Sequence, residues 1–580
     1  MATEVKTRYA SELKPWLKHF PQENIGKALP ACTLLDRLRD TCKDSMDVAA
    51  IEYYGRQISY REMLKNIDLY AAAFSEFGIK AGDYVTLITV VIPETMYTVY
   101  ALNKLGAVCN FVDPRTDVPH SVEFTKKAKS DVLIIVDAIY DKYKDAIDDF
   151  GVEKVIVQDV TDSLPAFKRF VKRLAGSPAV PYDGKHILKN RDVVALGKGK
   201  SVEAHPYEPD WPAAVVRTGG TTGVSKGVVL TNDSLNAVSA NFDDAGIRHE
   251  PGDKFLNFLP VGVSYGIACG IHMGFTMTVT NVLIPAFKPD KFAELIIKHR
   301  PNHVIGVPVF YENLMNSPKV RGMDLSFLST TAAGGDSATS GFEEKLQTFF
   351  TEHGMRYPLA QGYGLSETSS AVAFGVQDVH RKGSAGVPCI HSVIAAFKPG
   401  TTEELPIGET GELCIAGPTL MKEYLYEPEE TANAMWTHPD GKVWVHSGDL
   451  GHIDEDGYVF IEGRIKRAIV RFDGHKSYPT QLEAVANGHE LIANCCVIAV
   501  KDRTHEQGSW PFVVIELTEA GKGKDQQVID EVLAMLKTGI EDRSQPVGAV
   551  IVDKVPTTNL GKNDYIALTK EFGEYDYLAK

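Results

Sequence analysis

An α/β fold, layered in a large N-terminal part and followed by a small α+β C-terminal domain, is what this sequence of 580 residues predicts. Two observations carry the prediction. Strand-like and helix-like segments alternate along most of the chain, the pattern of a largely parallel sheet covered by helices. Near residues 463–467 that pattern gives way to a compact run of short strands and helices. The length is too great for one hydrophobic core, so more than one unit is expected.

The elements follow in order. At the N-terminus Leu13, Trp16, Leu17 and Phe20 have helical spacing and predict a surface helix packed on the body. This stretch lacks the apolar core and cleavage site of a secretory signal. Residues 84–91 read as a strand, 94–105 as a helix and 107–112 as a strand, then 132–136 and 154–158 as further strands. Residues 176–210 read as a long irregular connection. A strand at 211–217 runs into a glycine-rich turn, and a helix is expected at 233–245, which sets the turn between strand and helix. Short antiparallel strands fill 443–461, with turns at Asp440-Gly441 and Asp456-Gly457. Beyond the break come a helix at 480–486, strands at 493–500 and 512–517, and a helix at 526–536. The expected division is residues 1–463 and 467–580, hinged at 464–466.

Composition narrows the function. Apolar residues make up 44% and charged residues 24%, an ordinary globular balance. With 76 acidic against 61 basic residues the net charge is −15, which gives no footing for sequence-independent nucleic-acid binding. Nucleotide binding stays open, because a nest of backbone N–H groups holds phosphate inside an acidic protein. Cys32, Cys42, Cys109, Cys269, Cys389, Cys414, Cys495 and Cys496 form no C-x-x-C pair and read as free, buried thiols of a reducing compartment. No apolar run reaches the roughly 18 residues of a transmembrane helix. A cytoplasmic location is expected.

The strongest chemical feature is Thr218-Gly219-Gly220-Thr221-Thr222-Gly223-Val224-Ser225-Lys226-Gly227. Its glycines let the backbone turn tightly and present N–H groups to an anion, its hydroxyls add donors, and Lys226 adds charge. A polyphosphate is the natural guest. It is not a Walker A loop, since Ser225 precedes Lys226 and Gly227 follows. The stretch closely resembles the phosphate loop of the adenylate-forming superfamily, which includes acyl-CoA synthetases, carrier-loading adenylation domains and luciferases. The superfamily's other motifs follow in order. Gln361-Gly362-Tyr363-Gly364-Leu365-Ser366-Glu367-Thr368 matches its second core motif, Ser447-Gly448-Asp449 its S/T-G-D, Gly463-Arg464-Ile465-Lys466 its hinge, and 556–562 its P-K-T-x-x-G-K.

The resemblance implies roles for these residues. Tyr363 would stack on adenine, Thr368 would lie near the α-phosphate, and Glu367 would hold Mg2+. Asp449 would accept from the ribose hydroxyls, Arg464 would contact the nucleotide, and Lys466 would be the pivot of the small domain. Gly334, Gly335 and Asp336 would flank the adenine and the acyl pocket. The neighbouring Ser337 in G-G-D-S imitates a phosphopantetheine attachment site. Lys562 would reach the acid and the α-phosphate, relieving repulsion between two anions as charge redistributes. Val261, Gly262, Val263, Ser264, Tyr265 and Gly266, with Val309 and Phe310, would wall the acyl pocket.

The sequence also departs from the pattern. Val263 stands where a gating His or aromatic residue is common, which suggests a roomier pocket. Gly262, Gly266 and Gly270 point the same way or serve close helix packing. No aspartate is present to pair with an α-amino group, so an acid without an α-amine is favoured. Gly474, which in relatives lines the pantetheine tunnel, is kept, but Phe472, Asp473, Thr557 and Tyr565 are unusual. The resemblance thus implies an AMP-forming acid–thiol ligase that uses ATP, Mg2+ and coenzyme A to activate a small-molecule carboxylic acid, fatty or aryl, of any chain length. An enzyme that loads a separate acyl carrier protein, and a nucleotide-binding protein without catalysis, are the alternatives.

Overall fold

The computed structural model of the chain describes residues 8–174, 179–218, 225–335, 340–375, 377, 379–557 and 563–578. Among these residues five sheets carry the fold. The first has nine strands, ordered Val387–Pro388, Ser370–Phe374, Ala360–Leu365, Thr330–Gly334, His303–Gly306, Lys254–Asn257, Thr280–Leu283, Ala49–Tyr53 and Arg56–Ser59. Its centre is parallel, with Ala333 opposite Gln361 and Gly334 opposite Gly362. The second has eight strands, ordered Glu423–Tyr424, Gly227–Thr231, Pro212–Arg217, Val108–Phe111, Tyr84–Ile88, Val132–Val136, Lys154–Gln158 and Ile187–Lys189. A third, antiparallel sheet contains Val393–Phe397, Gly411–Ala416, Val443–Ile453 and Met435–Thr437, with Val459–Arg464 paired to Val443–Ile453.

The two large sheets share one apolar core. It joins Leu87 and Phe111 of the eight-stranded sheet to Ile51, Phe255 and Val282 of the nine-stranded one. The helix Pro93–Lys104 supplies Met96, Tyr97, Tyr100 and Leu102 to the same core. Every residue of that helix is buried, so it shows no polar stripe, as expected of a helix covered all round. The helix Tyr60–Phe77 is defined by its ends. Ser59 accepts the N–H of Glu62 at its start, and Gly78 takes a left-handed conformation at its close.

Beyond Arg464 the chain builds a smaller unit. Ile492–Lys501 and Ser509–Leu517 form an antiparallel pair, joined in parallel by Ala549–Val552. Strand alternation sends Cys495 and Val497 into one apolar cluster, with Leu482, Val528 and Val532. Cys496 and Ile498 enter another, with Phe512, Val555 and Leu568. The two adjacent thiols therefore face opposite sides of the sheet. Among the described residues no apolar cluster mixes side chains before 461 with side chains after 468.

Several expectations needed correction. The glycine-rich loop does not lead directly into a helix; the strand Gly227–Thr231 intervenes and pairs antiparallel with Pro212–Arg217. The stretch 176–210 contains the edge strand Ile187–Lys189 and the helix Asn190–Ala195. The small domain gains Ala549–Val552 and the helix Tyr565–Phe572. The N-terminal helix breaks in two, because Lys14 turns left-handed ahead of Pro15. Trp16 and Phe20 are still buried, but Leu13 is 49% exposed. By contrast Val132–Val136 and Lys154–Gln158 lie where the apolar runs put them.

Candidate active site

The hairpin register fixes the base of the glycine-rich loop. Arg217 lies opposite Gly227, where the loop leaves and re-enters the sheet. Thr218 and Lys226 close the ring: the Thr218 N–H donates to the Lys226 carbonyl at 3.0 Å, and the Lys226 N–H donates to Thr218 Oγ1 at 3.0 Å. Ser225 Oγ donates to the Thr218 carbonyl at 2.8 Å. Gly219, Gly220, Thr221, Thr222 and Gly223 lie outside the described residues. Below the ring Arg217 is buried, stacked on Phe124 and bonded to Asn110, and burial pulls its pKa down to about 10. Arg217 is a lone arginine at a strand end and carries no motif, so nothing in the sequence marks it.

Three separate motifs converge on one carboxylate. Tyr363 Oη donates to Asp449 Oδ2 at 2.8 Å, and Arg464 Nε lies 2.7 Å from Asp449 Oδ1. Asp449 and Arg464 are register partners, on Val443–Ile453 and Val459–Arg464. Burial, and then the adjacent Asp449 charge, push the Tyr363 phenol well above its ordinary range, so it remains a donor. The turn that carries Asp449 is itself braced. Glu412 accepts the Gly448 N–H at 3.1 Å and faces His446 Nδ1 at 3.1 Å, while Ser447 Oγ accepts the Asp449 N–H at 2.9 Å. Glu412 and His446 were not foreseen.

The Gln361 side chain points elsewhere, donating to Glu343 at 2.6 Å. Gly362 and Gly364 continue the strand, and a Cβ on Gly364 would stand 1.9 Å from the Ser370 carbonyl, so the backbone approaches there too closely for any side chain. Gly334 and Gly335 end the neighbouring strand and the turn after it; Asp336 and Ser337 lie outside the described residues.

A second cluster forms around Tyr424, on the edge strand beside Gly227–Thr231. Its hydroxyl donates to Glu367 Oε1 at 2.6 Å. Its ring lies under Lys226, with Nζ 4.7 Å from the centroid. Lys226 also forms a close ion pair with Glu430, which holds the Glu430 carboxyl below its usual range. Burial and the Glu367 charge push the Tyr424 phenol up, so it stays protonated and donates. The second Glu367 oxygen has no hydrogen-bond partner among the described residues, and Glu367 is half-buried. A carboxylate oxygen left free on a half-buried side chain is what a hard cation such as Mg2+ requires. Thr368 is fully buried and its hydroxyl is taken up locally, accepting the Leu365 N–H at 3.0 Å with the Leu365 and Ser370 carbonyls as its two candidate acceptors. Ser369 follows with φ +58°, a left-handed residue beside the acidic one.

The predicted pocket segments also meet. Tyr265 Oη donates to the Gly306 carbonyl at 3.4 Å and lies 3.6 Å from where a Cβ on Gly334 would stand. Val261 and Ser264 are buried and Val263 half-buried. Phe310 packs edge-on against Phe258 and Phe287, with centroids 5.6 and 4.8 Å away, whereas Val309 is 48% exposed. The glycines serve close packing: a Cβ on Gly266 would stand 1.8 Å from the Pro260 carbonyl, one on Gly262 2.9 Å from the Asp113 N, and one on Gly270 3.3 Å from Asn257.

Lys466 is exposed in the single turn Ile465–Arg467, and Gly474 caps the tight turn between Ile469–Val470 and Lys476–Ser477. Beside Gly474, Phe472 stacks on His505 at 3.5 Å and Asp473 pairs with Arg543 at 2.7 Å. Tyr565 lies under Arg467, 3.6 Å from ring centroid to guanidinium carbon. Each of those unusual residues is thus engaged within the small unit. Lys562 lies outside the described residues.

Comparison with known proteins bears on this arrangement. A profile of AMP-binding enzymes matches residues 38–425, and one of the AMP-binding enzyme C-terminal domain matches residues 481–562. The chain is 28% identical to a long-chain-fatty-acid–CoA ligase of Bacillus subtilis (strain 168) over 560 residues, covering 95% of this chain and 96% of that one. It is 27% identical to a probable 4-coumarate–CoA ligase 1 of Dictyostelium discoideum, covering 80% and 82%. Among solved structures, ATP-bound MatB from Rhodopseudomonas palustris superposes with a TM-score of 0.77 at 23% identity, covering 93% and 99%. That last likeness speaks for the fold alone.

Proposed function

The chain belongs to the family of AMP-binding enzymes, and on that footing we propose that it joins a carboxylic acid to the thiol of coenzyme A through an acyl-adenylate. The observation that carries the proposal is the clamp of Tyr363 and Arg464 on Asp449. It brings together motifs 86 residues apart at a buried carboxylate, the chemistry needed to accept two ribose hydroxyls. The Lys226–Tyr424–Glu367 cluster supports it by setting a lysine, paired here with Glu430, beside a carboxylate that has one oxygen without a partner among the described residues.

In the proposed reaction the acid's carboxylate oxygen attacks the α-phosphorus of ATP, the bond to pyrophosphate breaks, and acyl-AMP forms. The thiolate of coenzyme A then attacks the acyl carbon, and AMP leaves with the bonding pair. Asp449 and Tyr363 orient the nucleoside, Thr218, Ser225 and Lys226 face the phosphates, and Lys562 offsets the approach of two anions. Glu367 would hold Mg2+, which neutralises charge on the phosphates. The acid is read as fatty or aryl, since the Phe258–Phe287–Phe310 group beside Tyr265 is apolar. The site of action is read as the cytoplasm, and among the described residues no helix is long and apolar enough to cross a membrane.

The test is ATP-dependent pyrophosphate release over a panel of short, medium and long fatty acids and aryl acids, with and without coenzyme A, and products identified by mass spectrometry. A coenzyme A thioester with AMP is expected for one acid class. Pyrophosphate without a thioester would transfer the second step to a carrier protein's thiol. Nucleotide binding without pyrophosphate from any acid would overturn the catalytic reading.

A further inference from the structure

The helix Ala166–Leu174 has a composition unlike the rest of this acidic chain. Its sequence, AFKRFVKRL, places Phe167, Phe170, Val171 and Leu174 at the i, i+3, i+4, i+7 spacing of one helical face. Lys168, Arg169, Lys172 and Arg173 fill the positions between them, four positive charges with no acid among nine residues. On a helix of a soluble body such an apolar stripe is ordinarily turned inward. Here Phe167 is 76% exposed, Phe170 61% and Val171 47%. Lys168 and Arg169 tether the helix to the body instead: Lys168 Nζ donates to the Tyr54 carbonyl at 2.7 Å, and Arg169 Nη1 to the Asp162 carbonyl at 3.1 Å. Tyr54 is itself 44% exposed.

We propose that this helix docks the protein on the surface of a bilayer rich in anionic lipid. Charge complementarity selects the occupant. The whole chain carries −15 and is repelled by an anionic surface, so attraction must come from a local basic segment, and this helix supplies one. Area points the same way. Two phenylalanines and a valine on nine residues fall far short of the roughly 800 Å² per partner of a standard protein–protein interface. A few aromatic side chains entering the headgroup region beside basic residues are the paired signals that give reversible membrane binding. The contact is peripheral, because no helix among the described residues can cross a membrane. The docking is independent of the reaction proposed above.

The experiment is flotation of the full chain with vesicles of phosphatidylcholine alone or mixed with phosphatidylserine, for the wild type and the Phe167→Ser/Phe170→Ser variant. Wild-type protein is expected to float with the mixed vesicles about tenfold more than with phosphatidylcholine, and to be released by salt as screening rises. The variant is expected to lose about tenfold in binding, with an unchanged circular-dichroism melting curve, since both side chains are solvent-facing. Equal flotation of wild type and variant, or none by the wild type, overturns the proposal. A wild type that self-associates in sedimentation velocity, with a monomeric variant and no vesicle binding by either, overturns it in favour of a second copy of this chain.

Discussion

At the scale of single residues, the candidate site works through hydroxyls that hold carboxylates still. Tyr363 spends its hydroxyl on Asp449, and hydrogen bonds to a charged partner contribute about 1.5–3 kcal/mol. Tyr363→Phe keeps the ring but frees the carboxylate to wander. The expected outcome is an ATP KM raised about tenfold with little change in kcat, read from initial rates of pyrophosphate release. An unchanged KM would show that Arg464 alone positions Asp449. Tyr424→Phe is the matching change at Glu367. It is expected to raise the Mg2+ concentration needed for half-maximal pyrophosphate release several-fold while the melting temperature stays within a few degrees. Identical Mg2+ dependence would remove Tyr424 from the site.

At the scale of an element, the buried helix Pro93–Lys104 pays for its position with Glu94. This side chain is 3% exposed, receives a hydrogen bond from Ser163 and leaves its Oε2 without a partner. Burial pushes its pKa from 4.5 to about 7. The folded state therefore holds a proton that the unfolded chain has lost between those values. Stability from the neutral acid is complete below about pH 4.5 and is lost as pH rises through about 7, by an amount of order 3 kcal/mol. Glu94→Gln keeps an acceptor for Ser163 and does not titrate. Its expected signature is a flatter stability curve over that interval, measured by denaturant unfolding, and a gain over wild type at pH 8. Parallel curves for the two proteins would show that Glu94 titrates normally.

For the whole molecule, we propose that the small unit turns as a body about Lys466, a reading that fits the separation of the apolar clusters on either side of Ile465–Arg467 among the described residues. Across the turn, Thr480 Oγ1 donates to the Glu462 carbonyl. Such a hinge lets one site serve two half-reactions with different electrostatic needs. Lys562→Ala is expected to cut adenylation by roughly 10²–10³ and leave thioester formation from supplied acyl-AMP intact. Equal loss of both steps would refute that division of labour. Lys466→Pro fixes φ at the pivot and should slow the second step alone, by single-turnover assay with acyl-AMP. An unslowed second step would move the hinge elsewhere.

The sequence by itself determined the layered α/β fold, many of its elements and the motif set. Those signals are local: apolar runs such as 132–136 become parallel strands, and the composition of 218–227 alone reads as a phosphate loop. Only the tertiary structure decided which residues touch. Asp449 meets Tyr363 and Arg464 through one sheet register and one inter-sheet approach. Tyr424 and Glu430 reach Glu367 and Lys226 because the edge strand Glu423–Tyr424 pairs with Gly227–Thr231. The Gly227–Thr231 strand itself escaped local reading, since a fully buried strand of five apolar and small residues shows no alternation. The physical reason is general to the molecule. Periodicity and turn chemistry are encoded over a few neighbouring residues, whereas the site is assembled by pairings such as Tyr363–Asp449 and Lys226–Glu430, 86 and 204 residues apart, whose partners carry no mark of one another until the sheets close.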